Sequence, residues 1–215
     1  MKEMGHERPW KGFGYDVMIA NQANRSAAAS STQNGGNSYA ARGMFDYTEK
    51  LHLEASYALT ENAKGPSDGT TNAGGEDYSN FNVGVDSNLG KLSLKAEYFD
   101  ASNIKGVKDY DEQVFTGTAG YFIIPTLEGV VKHVQGSASK GGTDTTLGNT
   151  YLGLNLFISM PYEDFSRKSK RMRNQHKVVM NYIVASGDTK GSTNEWNGLK
   201  GYKDDAFVVQ YQFKF

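Results

Sequence analysis

The chain ends in VVQYQFKF, residues 208–215, and this stretch decides the fold. Apolar and polar side chains alternate back from the last residue, with apolar ones at Phe215, Phe213, Tyr211, Val209 and Phe207. A two-residue period places successive side chains on opposite faces of a β-strand. Because most chain ends are polar and frayed, an aromatic end with this period predicts a strand with one covered face.

The composition favours strands over helices. The chain has 215 residues, among them 25 glycines, 13 tyrosines and 11 phenylalanines but only 4 prolines. Aromatic residues are enriched in strands, and glycine in the turns that join them. No apolar stretch approaches the roughly 20 residues that a membrane helix needs. The predicted fold class is therefore all-β.

Charge and cysteine content exclude several classes of function. The net charge is -1, which gives no basic surface for nucleic acid. There is no cysteine, so a disulfide scaffold, a thiolate metal site and a cysteine nucleophile are excluded. The four histidines are isolated, and none has metal-ligand spacing; they are His6, His52, His133 and His176. No metal and no cofactor are predicted, and the two histidines in predicted strands are interpreted as hydrogen-bonded or lumen-lining residues.

The same alternation recurs along the chain and predicts about ten strands in one antiparallel up-and-down sheet, a single domain over residues 1–215. The stretches are FGYDVMIAN (13–21), ARGMFDY (41–47), LHLEASYAL (51–59), FNVGVD (81–86), LSLKAEY (92–98), FTGTAGYFI (115–123), LEGVVKHVQ (127–135), LGLNLFI (152–158), KVVMNYIV (177–184) and the end of the chain. The seventh is ambiguous, since Val130 and Val131 lie on opposite faces.

The connections alternate between long and short. Long loops are predicted over about 22–38, 61–77, 136–149 and 186–203, with tight turns between most of the other strands. The connection at about 161–176 breaks the rule, because it falls where a tight turn is expected. It carries the basic run SRKSKRMR, residues 166–173, which is interpreted as a solvated loop, with concentration of anions at a channel mouth as the alternative.

The distribution of charges and aromatic residues predicts which face meets water. Full charges stand in mid-strand on the polar face, and these lumen-lining candidates are Asp16, Arg42, Glu54, Lys95, Glu97 and Lys132. Aromatic residues gather near strand ends on the apolar face, as in the girdles at the two interfaces of a bilayer, and long loops alternate with short turns as in outer-membrane barrels. An antiparallel transmembrane β-barrel is therefore predicted, with a soluble barrel or sandwich as the alternative.

The end of the chain resembles the C-terminal signature of bacterial outer-membrane barrels, a terminal Phe with apolar residues at every second position before it. The membrane-facing residues of this signature are Phe207, Val209, Tyr211, Phe213 and Phe215. The glycine- and tyrosine-rich hairpins look like the C-terminal part of a trimeric porin, with phosphate-selective porins nearest. The resemblance implies a Gram-negative outer membrane, contact with lipid and lipopolysaccharide, insertion by the barrel-assembly machinery, and a homo-trimer. The arginine ladder and the constriction loop of such porins are not matched.

The expected function is a porin: a water-filled channel for passive diffusion of small hydrophilic solutes or ions, with a preference for anions and no enzymatic activity. Ten closed strands enclose a backbone radius of only about 10 Å, whereas porins with an aqueous channel have roughly 16 to 18 strands. Two architectures stay open, a complete ten-stranded barrel and the C-terminal portion of a 16-stranded porin. The first residues of the chain look like a turn that enters a strand, which favours the C-terminal portion of a larger porin.

The alternative function is a closed ten-stranded outer-membrane barrel that acts as a protease or lipase at its rim, or as an adhesin through its outer loops. The adjacent carboxylates Asp204 and Asp205 prompt the protease reading, because acidic pairs serve as catalytic groups in rim proteases. A second acidic pair with a nearby histidine is not found in the sequence, so no catalytic residue is predicted.

Overall fold

The computed structural model describes residues 11–21, 37–48, 50–61, 75–158, 176–191 and 201–213. They form ten strands: β1 Lys11–Asn21, β2 Asn37–Tyr47, β3 Leu51–Thr60, β4 Tyr78–Leu89, β5 Leu92–Ser102, β6 Tyr110–Ile124, β7 Leu127–Lys140, β8 Thr143–Phe157, β9 His176–Ser186 and β10 Ala206–Phe213. A 3-10 turn, Ile104–Gly106, lies between β5 and β6. Within these ranges, no helix has the length and apolar character to cross a membrane.

All ten strands belong to one sheet, in which each strand pairs antiparallel with its neighbours in sequence, from β1 to β10. This confirms the prediction of an all-β up-and-down meander. Each pairing brings like faces together; in the pairing of β3 with β4, for example, Leu53 lies opposite Val85 and His52 opposite Asp86. Within the described strands no pairing joins β10 to β1, so each of these two strands has a free edge.

The prediction of a long loop over 136–149 is wrong. Strands β7 and β8 continue through this stretch and meet at a two-residue turn, Gly141 and Gly142. Both glycines have positive φ angles, 58° and 79°, which is the backbone of a tight hairpin turn. The flanking residues are mostly small and polar, so the two faces of these strand ends differ little in hydrophobicity. The two-residue period is therefore not visible in the sequence here, although serine and threonine are compatible with strands.

The other predicted loops are described only at their ends. Strand β2 begins at Asn37, inside the loop predicted over 22–38, and residues 22–36 lie outside the described part. Most of the loop over 61–77, nearly all of the basic connection 161–176, and residues 192–200 of the last loop lie outside it as well. Short turns at Gly90–Lys91 and Pro125–Thr126 agree with the predicted turns at the opposite end of the sheet.

One face of the sheet, called the apolar face below, carries a continuous band of exposed apolar and aromatic side chains. Its members include Phe13, Tyr15, Val17, Ile19, Phe45, Tyr57, Phe81, Leu94, Phe115, Tyr121, Val131, Leu152, Leu154, Tyr182, Phe207, Val209, Tyr211 and Phe213. The four described members of the C-terminal signature therefore share one face of β10, while Phe215 lies outside the described residues. Phe13 is 74% exposed but Phe45, opposite it on β2, only 41%, as expected for an edge strand.

The apolar band crosses the strands obliquely. Lys11 of β1 and Phe207 of β10 lie in the same row when the register is followed through all the pairings. The band covers residues 13–19 on one side of that row in β1, and residues 207–213 at the row and on its other side in β10. Its centre thus moves by about eight residues over the width of the sheet, a strand tilt of about 30° at ~3.3 Å per residue and ~4.8 Å per strand.

The hairpin turn between β7 and β8 generates a stability prediction. We expect Gly142→Ala to lower the free energy of unfolding by about 1 kcal/mol, because an alanine side chain is strained at this positive φ. Gly129→Ala is the matched control, since its Cβ would meet no atom closer than 3.8 Å. Denaturant unfolding followed by tryptophan fluorescence measures both variants. Equal stability of the two would contradict the hairpin.

Candidate functional site

The second face of the sheet, called the polar face, is the candidate functional site. All six predicted lumen-lining residues lie on it. Asp16 pairs with Arg42 across β1 and β2, and Glu54 and Glu97 flank Gly84 in one row. Lys95 and Lys132 flank Thr118 in the next row, which resolves the ambiguity of the VV pair in β7.

An ion-pair network links the polar face of β1, β2 and β3. Arg42 donates to Asp16 from both Nε and Nη2, and its Nη1 lies 3.7 Å from Glu54 Oε1. His52 places Nδ1 2.9 Å from Asp46 Oδ1 and Nε2 3.5 Å from Glu54 Oε2. Solvent reaches much of it, since the side chains of Arg42 and Asp16 are 44% and 60% exposed. Exposed pairs of this kind contribute roughly 0–1 kcal/mol each, so the network fixes side-chain positions more than it stabilises the sheet.

A groove of about 430 Å³ lies next to this network, between β3, β4 and β5. Its floor is Gly84, which has no side chain, and its walls include Glu54 on one side and Glu97 on the other. Asn82 donates to Glu97 at 2.8 Å, and Lys95 lies 3.9 Å from Asp86 at the lower wall. The groove is therefore a water-accessible recess that exposes carboxylates next to one lysine.

Charges of both signs occupy the polar face, with a small excess of carboxylates. The described strands place on it Asp16, Asp46, Glu54, Asp86, Glu97, Glu112 and Glu128, against Arg42, Lys95, Lys132, Lys140 and Lys177. Lys132 Nζ and Lys140 Nζ sit over the rings of Tyr151 and Tyr110, at 5.5 and 5.1 Å from the ring centres. The expected preference for anions therefore finds no support in the charge of the described polar face.

The turn end of the polar face is closed by a buried carboxylate. Glu128 is 6% exposed and accepts a hydrogen bond from Asn155 at 2.9 Å. The rings of Phe122 and Phe157 pack nearby, with their centres 5.7 Å apart. Glu128 fits because Gly120 leaves room for it: a Cβ on Gly120 would lie 2.6 Å from Glu128 Oε1.

Towards the opposite end, the polar face of β8 and β9 is covered by residues 201–205, called the inner segment below. Asn149 of β8 binds this segment, with Oδ1 accepting from the Tyr202 N–H and Nδ2 donating to the Tyr202 carbonyl, both at 2.9 Å. The ring of Tyr202 meets that of Tyr151 edge to face, with the centres 6.3 Å apart. No sequence motif predicts this contact; the signal that could have found it is the presence of apolar Leu147 and Ile183 at polar-face positions.

The remaining residues singled out in the sequence have structural partners. His133 lies on the apolar face beside Val131, contrary to the lumen-lining reading, and its Nδ1 is 2.9 Å from Thr150 Oγ1. His176 packs against the ring of Phe213. Asp205 accepts from the Ala185 N–H at 2.9 Å and lies 3.6 Å from Lys190, so it ties the last loop to β9. His6 and the basic run lie outside the described residues.

The described residues form no metal-binding cluster. No group of three or more His, Asp or Glu side chains gathers there in a way that would hold a metal ion. No protein-family model matches the chain, and no curated protein matches it in sequence. Its function must therefore be inferred from the chemistry of the two faces of the sheet.

The glycines of the polar face generate a paired prediction. We expect Gly120→Ala to destabilise the protein by about 1–3 kcal/mol, because the new methyl group would displace Glu128 and Ser93. Gly84→Ala is the control: its nearest neighbour would be the Ala96 carbonyl oxygen at 3.8 Å, so we expect a change of about 0.5 kcal/mol or less. The unfolding midpoints of the two variants give the comparison, and a smaller loss for Gly120→Ala than for Gly84→Ala would show that Glu128 is not seated as described.

Proposed function

We propose that this sheet forms the wall, or part of the wall, of a channel in a bacterial outer membrane. Small hydrophilic solutes and ions would diffuse passively through this channel. The observation that carries the proposal is the continuous apolar band on one face, set obliquely across ten strands and backed by a charged polar face. In a transmembrane β-barrel the first face contacts lipid and the second encloses water. The tilt of about 30° is close to the roughly 35–45° typical of such barrels.

The exposure of the apolar face argues against a soluble sandwich or barrel. In those folds the apolar face is the packed interior. Here Val17, Leu152 and Val209 are 71%, 50% and 57% exposed, and within the described residues nothing covers them. An apolar surface that extends over ten strands exceeds the few hundred Å² that soluble monomers usually expose. A bilayer would cover all of it at once.

The side chains and the inner segment on the polar face take up space inside the proposed barrel and so set a lower limit on the number of its strands. A wall of ten strands alone has a backbone radius of about 10 Å, and inward side chains nearly fill it. The inner segment adds a further layer of polypeptide on β8. Passage of solutes therefore requires a wider wall, in which the free edges of β1 and β10 pair with further strands, since unpaired backbone groups in lipid are costly.

The proposed charge selectivity is a weak preference for cations. The groove around Gly84 exposes Glu54, Glu97 and Asp86 but only one lysine. Wall charges of this kind act on passing ions through their local field, which is screened over roughly 8–10 Å at physiological salt. The outer membrane as location, contacts with lipopolysaccharide, insertion by the assembly machinery and a homo-trimer remain predictions from the resemblance of the chain end.

The membrane-facing assignment predicts different outcomes for one substitution on the two faces. We expect Leu152→Arg, in the middle of the apolar band, to destabilise the full-length protein in lipid vesicles by about 2–4 kcal/mol. Thr116→Arg places the same side chain on the polar face beside Glu97, and we expect it to be tolerated. Urea unfolding in vesicles measures the difference. Tolerance of both arginines would mean that the apolar face does not touch lipid.

Planar-bilayer recording of the full-length protein tests the channel itself. We expect stepwise conductance, with the cation-to-anion permeability ratio lowered by Glu97→Gln and raised by Lys95→Gln, because each substitution removes one wall charge. Asp144→Asn removes a carboxylate from the apolar face and should leave the ratio unchanged. A protein that inserts but never conducts would rule out the channel, and equal ratios in all variants would rule out the polar face as its wall.

A further inference from the structure

We propose that the inner segment is a fixed constriction of the channel and that Asn149 is the positioning residue that holds it against β8. The inference rests on the proposed function, because it assigns to one part of the polar face the task of setting the width of the lumen. Asn149 and Tyr202 would then determine the size of the solutes that can pass, whereas the wall charges would determine the preference for cations or anions.

The first reason is the pairing of the Asn149 side chain, which is only 1% exposed. Its amide accepts from the N–H and donates to the carbonyl of one and the same residue, Tyr202, and also donates to the Gly148 carbonyl at 2.7 Å. An amide that serves both backbone groups of one residue imitates the edge of a neighbouring strand. Loss of the side chain removes the partners of both Tyr202 backbone groups.

The second reason is a patch of apolar side chains on the polar face. Leu147, Ile183 and Ala185 are 4%, 1% and 1% exposed, although Asn149 and Asn181 on the same face of these strands are polar. Gly201 lies directly on this patch, since a Cβ there would be 2.7 Å from Leu147 Cδ1. The segment therefore seals apolar surface that the lumen water would otherwise wet.

The third reason is that both limbs of the β9–β10 connection are anchored. The Thr146 N–H and hydroxyl donate to Asp188 Oδ2 at 3.0 and 2.8 Å, and the Thr189 N–H donates to the Thr146 carbonyl at 3.2 Å. Gly187 permits this approach, because a Cβ there would meet the Thr146 oxygen at 2.8 Å. The Gly191 N–H then donates to the Lys203 carbonyl at 2.8 Å, which joins the two limbs. The described limbs of the connection, residues 187–191 and 201–205, are therefore held to β8, to β9 and to each other.

The position of the inner segment on the polar face reduces the width that is open to passing solutes. Its Tyr202 ring packs on Tyr151, and the ammonium of Lys132 lies over the same Tyr151 ring. The added layer stands roughly 5–10 Å inward of the sheet, by the usual spacing of packed backbone layers. The segment therefore narrows the lumen beside Asn149 and Tyr151, near the middle of β8.

The test combines a chemical probe with single-channel recording, and the introduced thiol is the only one among these 215 residues, which contain no cysteine. In the full-length Leu147→Cys protein we expect the buried thiol to react slowly with a charged, water-soluble methanethiosulfonate. Adding Asn149→Ala should speed the reaction by about tenfold or more and raise both the single-channel conductance and the open-channel noise. Adding Asn181→Ala, which removes another amide from the polar face, should change neither.

The two readouts separate the failure of this inference from failure of the channel. Unchanged thiol reactivity in the Asn149→Ala protein overturns the anchoring role of Asn149. Faster reaction with unchanged conductance, in a protein that conducts, overturns the constriction and leaves the channel in place. Silence of the parent and of every variant overturns the channel. If Asn149→Ala does not fold, Asn149→Asp replaces it, because it keeps the acceptor for the Tyr202 N–H and loses both donor bonds.

Discussion

The structure depends on one constraint, the pairing of like faces across every adjacent pair of strands. Residues that lie opposite each other in a pairing share a face of the sheet, so the apolar positions of one strand line up with those of the next. Leu53, for example, lies opposite Val85, and His52 lies opposite Asp86. A slip by one residue in any ladder would turn a whole strand over and place its charges in the apolar band. The band is continuous from β1 to β10, and the register shifts only once within the described pairings, at the bulge between Phe122 and Ile124 beside the β6–β7 turn.

This constraint also explains how charges are arranged on the polar face. Neighbouring strands bring opposite signs together, as with Arg42 between Asp16 and Glu54, or Lys95 beside Asp86. Like charges directly across a ladder would be destabilising, and Gly84 separates the two glutamates in its row. Because these pairs are exposed and weak, the same side chains stay available to interact with ions in the adjoining water.

Alternation of apolar and polar residues predicted the strands and the faces of most of their side chains. It did not predict the β7–β8 hairpin or contacts between residues far apart in the sequence. All six candidate charges lie on the polar face; five of them stand in strands with strong contrast between the two faces, and Lys132 stands in the ambiguous seventh stretch. The hairpin over 136–149 was missed because glycine, serine and threonine give little contrast there. Of the two interpretations of His133, the hydrogen-bonded one is confirmed and the lumen-lining one is not, since it lies on the apolar face. The contact between Asn149 and Tyr202 joins residues 53 positions apart, a distance that local periodicity does not reach.

The exceptions to alternation are as informative as the pattern. Leu147 and Ile183 are apolar on the polar face, and both are buried because the inner segment lies over them. At the other end Glu128 is a carboxylate buried next to two phenylalanines, and it is accommodated by Asn155 and by the space above Gly120. Covering an inward apolar patch with polypeptide removes it from the water that the proposed wall would enclose. Leu147 and Ile183 therefore mark the part of β8 and β9 where the inner segment adds a second layer to the sheet.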